Sequence, residues 1–203
     1  MILPEPIRKF IDAFSSLPSI GPRQAHRLAF HIRNLGTEAI QDLADSIKNL
    51  GEIQTCFHCF FVYDANDKKS RNGLCAICSD PSRLQKIIMI VEKETDLMTV
   101  EKTKKFRGRY LMLGDLRRNG ILNDDQRKRL ELLKKRAAEH GHFDEIIIAI
   151  SPTTVGDINA SLVAQELKNA TKKITRLGRG IPMGGEVEFA DEDTLGSAID
   201  NRN

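Results

Sequence analysis

Residues 145–160 read EIIIAISPTTVGDINA, and the reading of this stretch decides the fold. Glu145–Ile150 is a short, almost purely apolar run rich in β-branched side chains. That composition belongs to a strand buried on both faces, as in a parallel sheet covered by helices. Ser151, Pro152, Thr153, Thr154, Gly156 and Asp157 follow at once, at the carboxyl end of the strand, where open α/β sheets bind their ligands. The stretch therefore predicts a strand and then a polar loop placed as an active-site loop would be.

Outward from it, the same grammar repeats. KIIMIVE (86–92), YLML (110–113) and KKITRL (172–177) are further strand candidates. Helical patterns lie between them, clearest in DDQRKRLELLKKRAAEHG (124–141) and around Asn159–Leu167. Strands alternating with helices predict an α/β domain with a mostly parallel sheet covered on both faces. The first fifty residues read instead as helices. Ile7, Phe10, Ile11 and Phe14 recur at helical spacing before LPSIGP (17–22) breaks the pattern. Ala25, Leu28, Ala29, Ile32 and Leu35 form a second stripe, opened by Pro22 at a position that suits proline. After Gly36, Thr37 is expected to cap a third helix carrying Ile40, Leu43, Ala44, Ile47 and Leu50, which Gly51 stops. The glycine-punctuated, acidic tail after Gly178 has no period that assigns it.

The chain of 203 residues carries a net charge of +3, which permits a nucleic-acid partner without demanding one. No apolar run approaches the roughly 18 residues of a spanning helix. MILPEPIRKF lacks the basic-then-apolar build of a signal peptide. A cytosolic protein without a membrane partner is expected, in which the four cysteines stay reduced. Cys56 and Cys59 form one CxxC and Cys75 and Cys78 another, with fifteen residues between. Two such turns supply the tetrahedral thiolate set of a structural Zn²⁺ site with no open position. Four unliganded thiols or two redox pairs are the alternatives. His58, inside the first turn, reads as a turn residue.

LPSIGPRQAHRLAFHI (17–32) places a tight turn before a helix whose first turn holds Arg23, with Arg27 four residues on, on the same face. A cation there opposes the helix dipole at a cost on the order of 0.3–1 kcal/mol. The arrangement makes sense where an external phosphate meets the free N–H groups. A solvated basic face is the alternative. His26 and His31 read as packing or solvent-facing residues.

Taken in order, LPSIGPRQAHRLAFHI, CAICSDPSR (75–83), IVEKETDL (90–97) and LGRGIPMGGEVEFADEDTLGSAI (177–199) resemble the bacterial RecR family of recombination mediators over nearly the whole chain. The resemblance implies a multidomain α+β chain. Its parts would be a helix-hairpin-helix DNA-binding domain at 1–53, a four-cysteine zinc finger at 54–80, a Toprim domain at 81–172 and a C-terminal extension at 173–203 that makes intersubunit contacts. It implies Ile20, Gly21, Arg23 and Arg27 as the DNA-facing set and Cys56, Cys59, Cys75 and Cys78 as zinc ligands. It further implies a ring-like dimer or tetramer that binds single- and double-stranded DNA with low sequence specificity. Such a ring would act with RecO-like and RecF-like proteins to load the recombinase RecA in the bacterial cytoplasm, at the nucleoid.

The sequence departs from the family pattern at Ser19, where glycine is usual, and in a longer insert, Phe60–Leu74, with Lys68, Lys69 and Arg71. Toprim enzymes hold Mg²⁺ on a glutamate after the first strand and an Asp-x-Asp after a later one. Here Glu92 stands in the first position, but Ser151 and Thr153 occupy the later pair and Val155 replaces a further acid of the family. Asp157 keeps its charge. A non-enzymatic protein is expected, with no catalytic residue, against a divergent Toprim nuclease or phosphotransferase and a zinc-stabilised adaptor. Glu92, Asp96 and Glu101 cap a helix, or with Asp157 form an acidic partner surface or residual metal site. Arg176 and Arg179 meet phosphate or an intersubunit acid. Lys102, Lys104, Lys105, Arg107 and Arg109 line a DNA channel or a solvated loop. His140 and His142 mark a helix end.

Overall fold

A computed structural model describes residues 3–116 and 120–202. The chain divides into two compact units, Met1–Ile53 and Gln54–Asn203.

In the first unit, α1 (Glu5–Ser15) and α2 (Pro22–Arg33) pack through Ile11, Ala25 and Ala29, with Ile7, Phe10, Phe14 and Ile20 around them. Each alanine contributes only a methyl group on the α2 side, which leaves room for Ile11 and the larger side chains of α1. Helix α3 (Thr37–Leu50) follows. Its cap is Gly36, at φ 87°, and Thr37 is its first residue, not its cap. The left-handed backbone selects glycine over a β-branched residue there. The apolar stripe expected on α3 is present but buries no residue: Leu43, Ile47 and Leu50 are 37%, 50% and 71% exposed.

The second unit opens with a hairpin of β1 (Gln54–Thr55) and β2 (Val62–Tyr63) and a short α4 (Ala76–Ser79), which carry the cysteines. The sheet follows: β3 (Leu84–Val91), β4 (Gly108–Met112), β5 (Glu145–Ala149) and β6 (Ile174–Arg176), in the order β4-β3-β5-β6 and parallel throughout. Strand β6 lies beyond residue 172, so the sheet draws an edge strand from the C-terminal segment. Alternation along β3 sorts the core. Ile88 and Ile90 join Leu130 and Leu133 of α6 (Asp124–His140) and Val163 and Leu167 of α7 (Thr154–Leu167). Met89 and Val91 join Leu97 of α5 (Glu94–Lys102), Tyr110, Met112 and the four cysteines. The central strands are buried on both faces, which is why they read as unbroken apolar runs. A 3-10 turn (Val187–Phe189) and α8 (Glu192–Asp200) complete the chain, α8 being capped by Asp191, whose side chain accepts from Thr194 N–H at 2.8 Å.

The stretch 145–160 is less of a loop than its composition predicts. Helix α7 starts at Thr154, so Val155, Gly156 and Asp157 lie in its first turn and only residues 150–153 separate it from β5. Thr153 caps the helix by accepting from Gly156 N–H at 3.0 Å. Gly156 is needed because a Cβ there would stand 1.9 Å from the Ser151 carbonyl oxygen. Among the described residues, no helix is long and apolar enough to cross a membrane.

Candidate nucleic-acid interface and metal centre

The turn between α1 and α2 closes with Ile20 N–H on the Leu17 carbonyl at 3.2 Å. Ser19 holds φ 63°, the left-handed conformation that a glycine would adopt without strain. Ile20 anchors the turn to the helix pair. Gly21 is the cap of α2, in extended backbone (φ −82°), and its carbonyl takes Gln24 N–H and Ala25 N–H, both at 3.0 Å. Within the described residues the amides of Gly21 and Arg23 meet no acceptor. Arg23 and Arg27 are exposed, no acid lies in the first turn of α2, and among the described residues neither arginine forms an ion pair. Two unpaired guanidinium groups beside two open amides and a bare glycine make a surface suited to phosphate oxygens. His26 is committed locally, with Nδ1 2.8 Å from the Pro22 carbonyl, and His31 faces solvent.

The four cysteines converge. Their sulfurs all lie within 4.8 Å of one another, every cysteine is buried, and Cys59 Sγ stands 3.5 Å from Cys75 Sγ. A tetrahedral ion with metal–sulfur bonds of about 2.3 Å needs sulfurs about 3.8 Å apart, so the set fits a thiolate-bound metal with no open position. The first CxxC is a tight turn closed by Phe60 N–H on the Cys56 carbonyl at 3.0 Å, with Phe60 at φ 62°. The sulfurs share protons unequally: contact with Cys59 pulls the Cys56 thiol far down, and contact with Cys56 pushes Cys59 far up. A bound cation would replace those shared protons. His58 is not a member of the set. The insert is a chain of side-chain-closed turns, with Asp64 and Asp67 accepting from Asn66 N–H and Lys69 N–H, and it leaves Lys68, Lys69 and Arg71 exposed.

The acids at the sheet's carboxyl edge do not converge. Glu92 accepts Leu116 N–H at 3.1 Å, and Asp96 caps α5 by accepting Lys93 N–H at 3.0 Å. Glu101 lies away from that edge, taken up by Arg83, just ahead of β3, at 2.8 Å and by the Tyr110 hydroxyl at 2.6 Å. Among the described residues, the cysteines are the one group of three or more metal-ligating side chains. Asp157 pairs with Arg176 at 3.1 Å and with Arg179, and Arg176 also donates to Ser161 Oγ at 3.0 Å. Both arginines, expected at phosphate or at another subunit, are thus spent on an acid of the same chain. Lys102, Lys104, Lys105 and Arg107 are exposed, but Arg109 departs from this basic run: it is half-buried, with Nε shielded and unbonded.

Sequence reasoning passed over Arg129 and Arg136 on α6. Arg129 sits over the Phe60 ring, 4.8 Å from its centroid, and donates to the Met112 carbonyl at 2.9 Å. Arg136 donates to the His58 carbonyl at 3.2 Å. The signal was their spacing: both lie within three or four residues of the buried Leu133, on the inward face of the helix.

Three family models match the chain: RecR, helix-hairpin-helix at residues 7–50, a Toprim domain at 86–178, and RecR, C-terminal at 180–203. The chain is 38% identical over 199 residues to Recombination protein RecR of Frankia casuarinae, spanning 97% of this chain and 95% of that protein. Against the protein of the same name from Clostridium perfringens, identity is 37% over 203 residues, spanning 98% and 96%. Against that of Roseiflexus castenholzii it is 36% over 203 residues, spanning 99% and 95%.

Proposed function

The chain belongs to the RecR family of recombination proteins, and on that premise we propose that it is a DNA-binding mediator of recombinational repair that catalyses no reaction itself. The observation that carries the DNA-binding part is the hairpin. Arg23 and Arg27 stand unpaired beside the open amides of Gly21 and Arg23 and, with Ile20 setting the turn, meet the backbone of single- or double-stranded DNA. Phosphate contacts of this kind position a protein on DNA and carry little sequence information. In the second unit, lysines 102, 104 and 105 with Arg107 form a basic run of their own, exposed and suited to the same ligand.

The four cysteines hold structural Zn²⁺, which brings folding energy and no chemistry. The absence of turnover rests on Ser151 and Thr153, which bring no charge to a metal, and on Glu92, whose carboxylate is engaged by Leu116 N–H. Without converging carboxylates a Mg²⁺-dependent nuclease has nowhere to hold its ion. The uncovered stripe of α3, with Met183 and Phe189 exposed in the C-terminal segment, supports assembly into a homo-oligomeric ring. Such a ring would work with RecO-like and RecF-like partners to load recombinase on single strands.

DNA affinity measured against salt tests this reading. The logarithm of the binding constant is expected to fall steeply and linearly with the logarithm of salt. Replacing Arg23→Ala together with Arg27→Ala is expected to weaken binding by on the order of 10-fold or more and to lower the slope by about 2 per chain engaged. Affinity indifferent to both salt and the double substitution removes the hairpin reading.

A further inference from the structure

We propose that Arg136 is a positioning residue of the four-thiolate centre, fixing its first turn from α6 and offsetting part of the charge of the metal-bound sulfurs. The inference rests on the reading that the cysteines bind a divalent metal.

The first observation is the address of the hydrogen bond. Arg136 reaches 78 residues back along the chain to the carbonyl of His58, the residue just before ligand Cys59 in the CFHC turn. The next residue along is tied to the edge strand, because Met112 N–H donates to the Cys59 carbonyl at 2.8 Å. The one after that, Phe60, lies under the guanidinium of Arg129. Three successive residues of the turn are therefore held by the sheet and α6 in addition to the turn's own bond from Phe60 N–H to the Cys56 carbonyl. A turn so held presents its thiolates already in place, and outer groups of this kind govern how tightly ligands hold a metal.

The second observation is charge. Arg136 is half-buried, and among the described residues it forms no ion pair with a carboxylate. A cation withdrawn from water without a counter-ion is costly, so a counter-ion is expected. Four thiolates around a divalent ion leave two negative charges, and the Arg136 guanidinium offsets part of them. Burial pulls the Arg136 guanidinium below its usual value and the charge of Arg109 adds to that pull, while the sulfurs of Cys78, Cys59 and Cys56 oppose it.

The test measures Zn²⁺ affinity by competition with a chromophoric chelator, and the Co²⁺ ligand-field spectrum, on the full chain. Arg136→Met is expected to weaken Zn²⁺ binding by about 10- to 100-fold and to shift the Co²⁺ bands. Arg136→Lys, which restores the charge, is expected to recover most of the affinity. Lys135→Met, an exposed cation one residue away, is expected to change nothing. Should Arg136→Met not fold, Arg136→Gln, which keeps a donor and removes the charge, is read by the same criterion. A wild-type chain that binds Zn²⁺ while the charge-removing variant binds it equally well overturns the inference alone. A wild-type chain that binds neither Zn²⁺ nor Co²⁺ overturns the metal reading and the inference with it.

Discussion

At Gly21 the backbone is extended and a Cβ would find nothing within 4 Å, so the free protein does not itself require glycine there. What a missing side chain leaves is room for a phosphate to approach the open amides. Gly21→Ala is accordingly expected to leave urea-unfolding stability within about 0.5 kcal/mol of wild type while weakening DNA binding several-fold. Ser19 is the opposite case: its left-handed backbone costs about 1 kcal/mol that glycine would not. The neighbouring chemistry was legible in the sequence because Arg23 and Arg27 share one helix and helical spacing is local. Glu101 was not legible. Its partners, Arg83 and Tyr110, are brought to it by β3 and β4, and the triad braces α5 against the sheet. Burial tends to raise the Glu101 carboxyl, but the bonds from Arg83 and Tyr110 outweigh it and hold the group below the usual glutamate value of 4.5. A lowered carboxyl stabilises the fold fully above that value, and the contribution fades as pH falls through the folded-state value. Glu101→Gln should therefore cost about 2 kcal/mol near neutral pH, between the surface and buried limits for an ion pair, and progressively less below pH 4.5, as read from urea melts across pH.

Among the elements, α7 carries the largest departure from expectation. Composition made 151–157 a ligand-binding loop, whereas Thr153 caps a helix that begins at once and turns Asp157 into a first-turn acid. An acid there complements the helix dipole and serves as the anchor for Arg176 and Arg179, so the segment leaving β6 is tied to the start of α7. Asp157→Asn is expected to cost only about 0.5–1 kcal/mol, because these groups are 38–39% exposed. The sharper readout is local: amide exchange in residues 177–190 should accelerate while that of β3 and β5 stays unchanged. Helix α8 and the 3-10 turn were unreadable for a related reason. They are short, and little of either is buried, so no apolar period marks them.

On the scale of the whole molecule, the cysteine module is part of the sheet domain's second core face, where Met89, Val91, Tyr110 and Met112 cluster with the four thiols. Stripping metal under reducing conditions should thus destabilise the sheet itself, lowering its thermal midpoint by at least several degrees, with recovery on adding Zn²⁺ back. A midpoint indifferent to chelator and to added Zn²⁺ would mean that the thiol cluster stands without an ion. What the sequence determined by itself was of short range: the helix pair and its arginines, the four strands, and a four-thiolate set recognisable from two CxxC turns. These follow from periodicity and spacing, which are properties of neighbouring residues. The tertiary structure alone decided the partner of each charge. Arg176 and Arg179 found Asp157, Glu101 found Arg83 and Tyr110, and Arg136 found the thiolate turn. The physical reason is that ion pairs and hydrogen bonds act over a few ångströms of space, and only the sheet order β4-β3-β5-β6 sets which distant residues come that close.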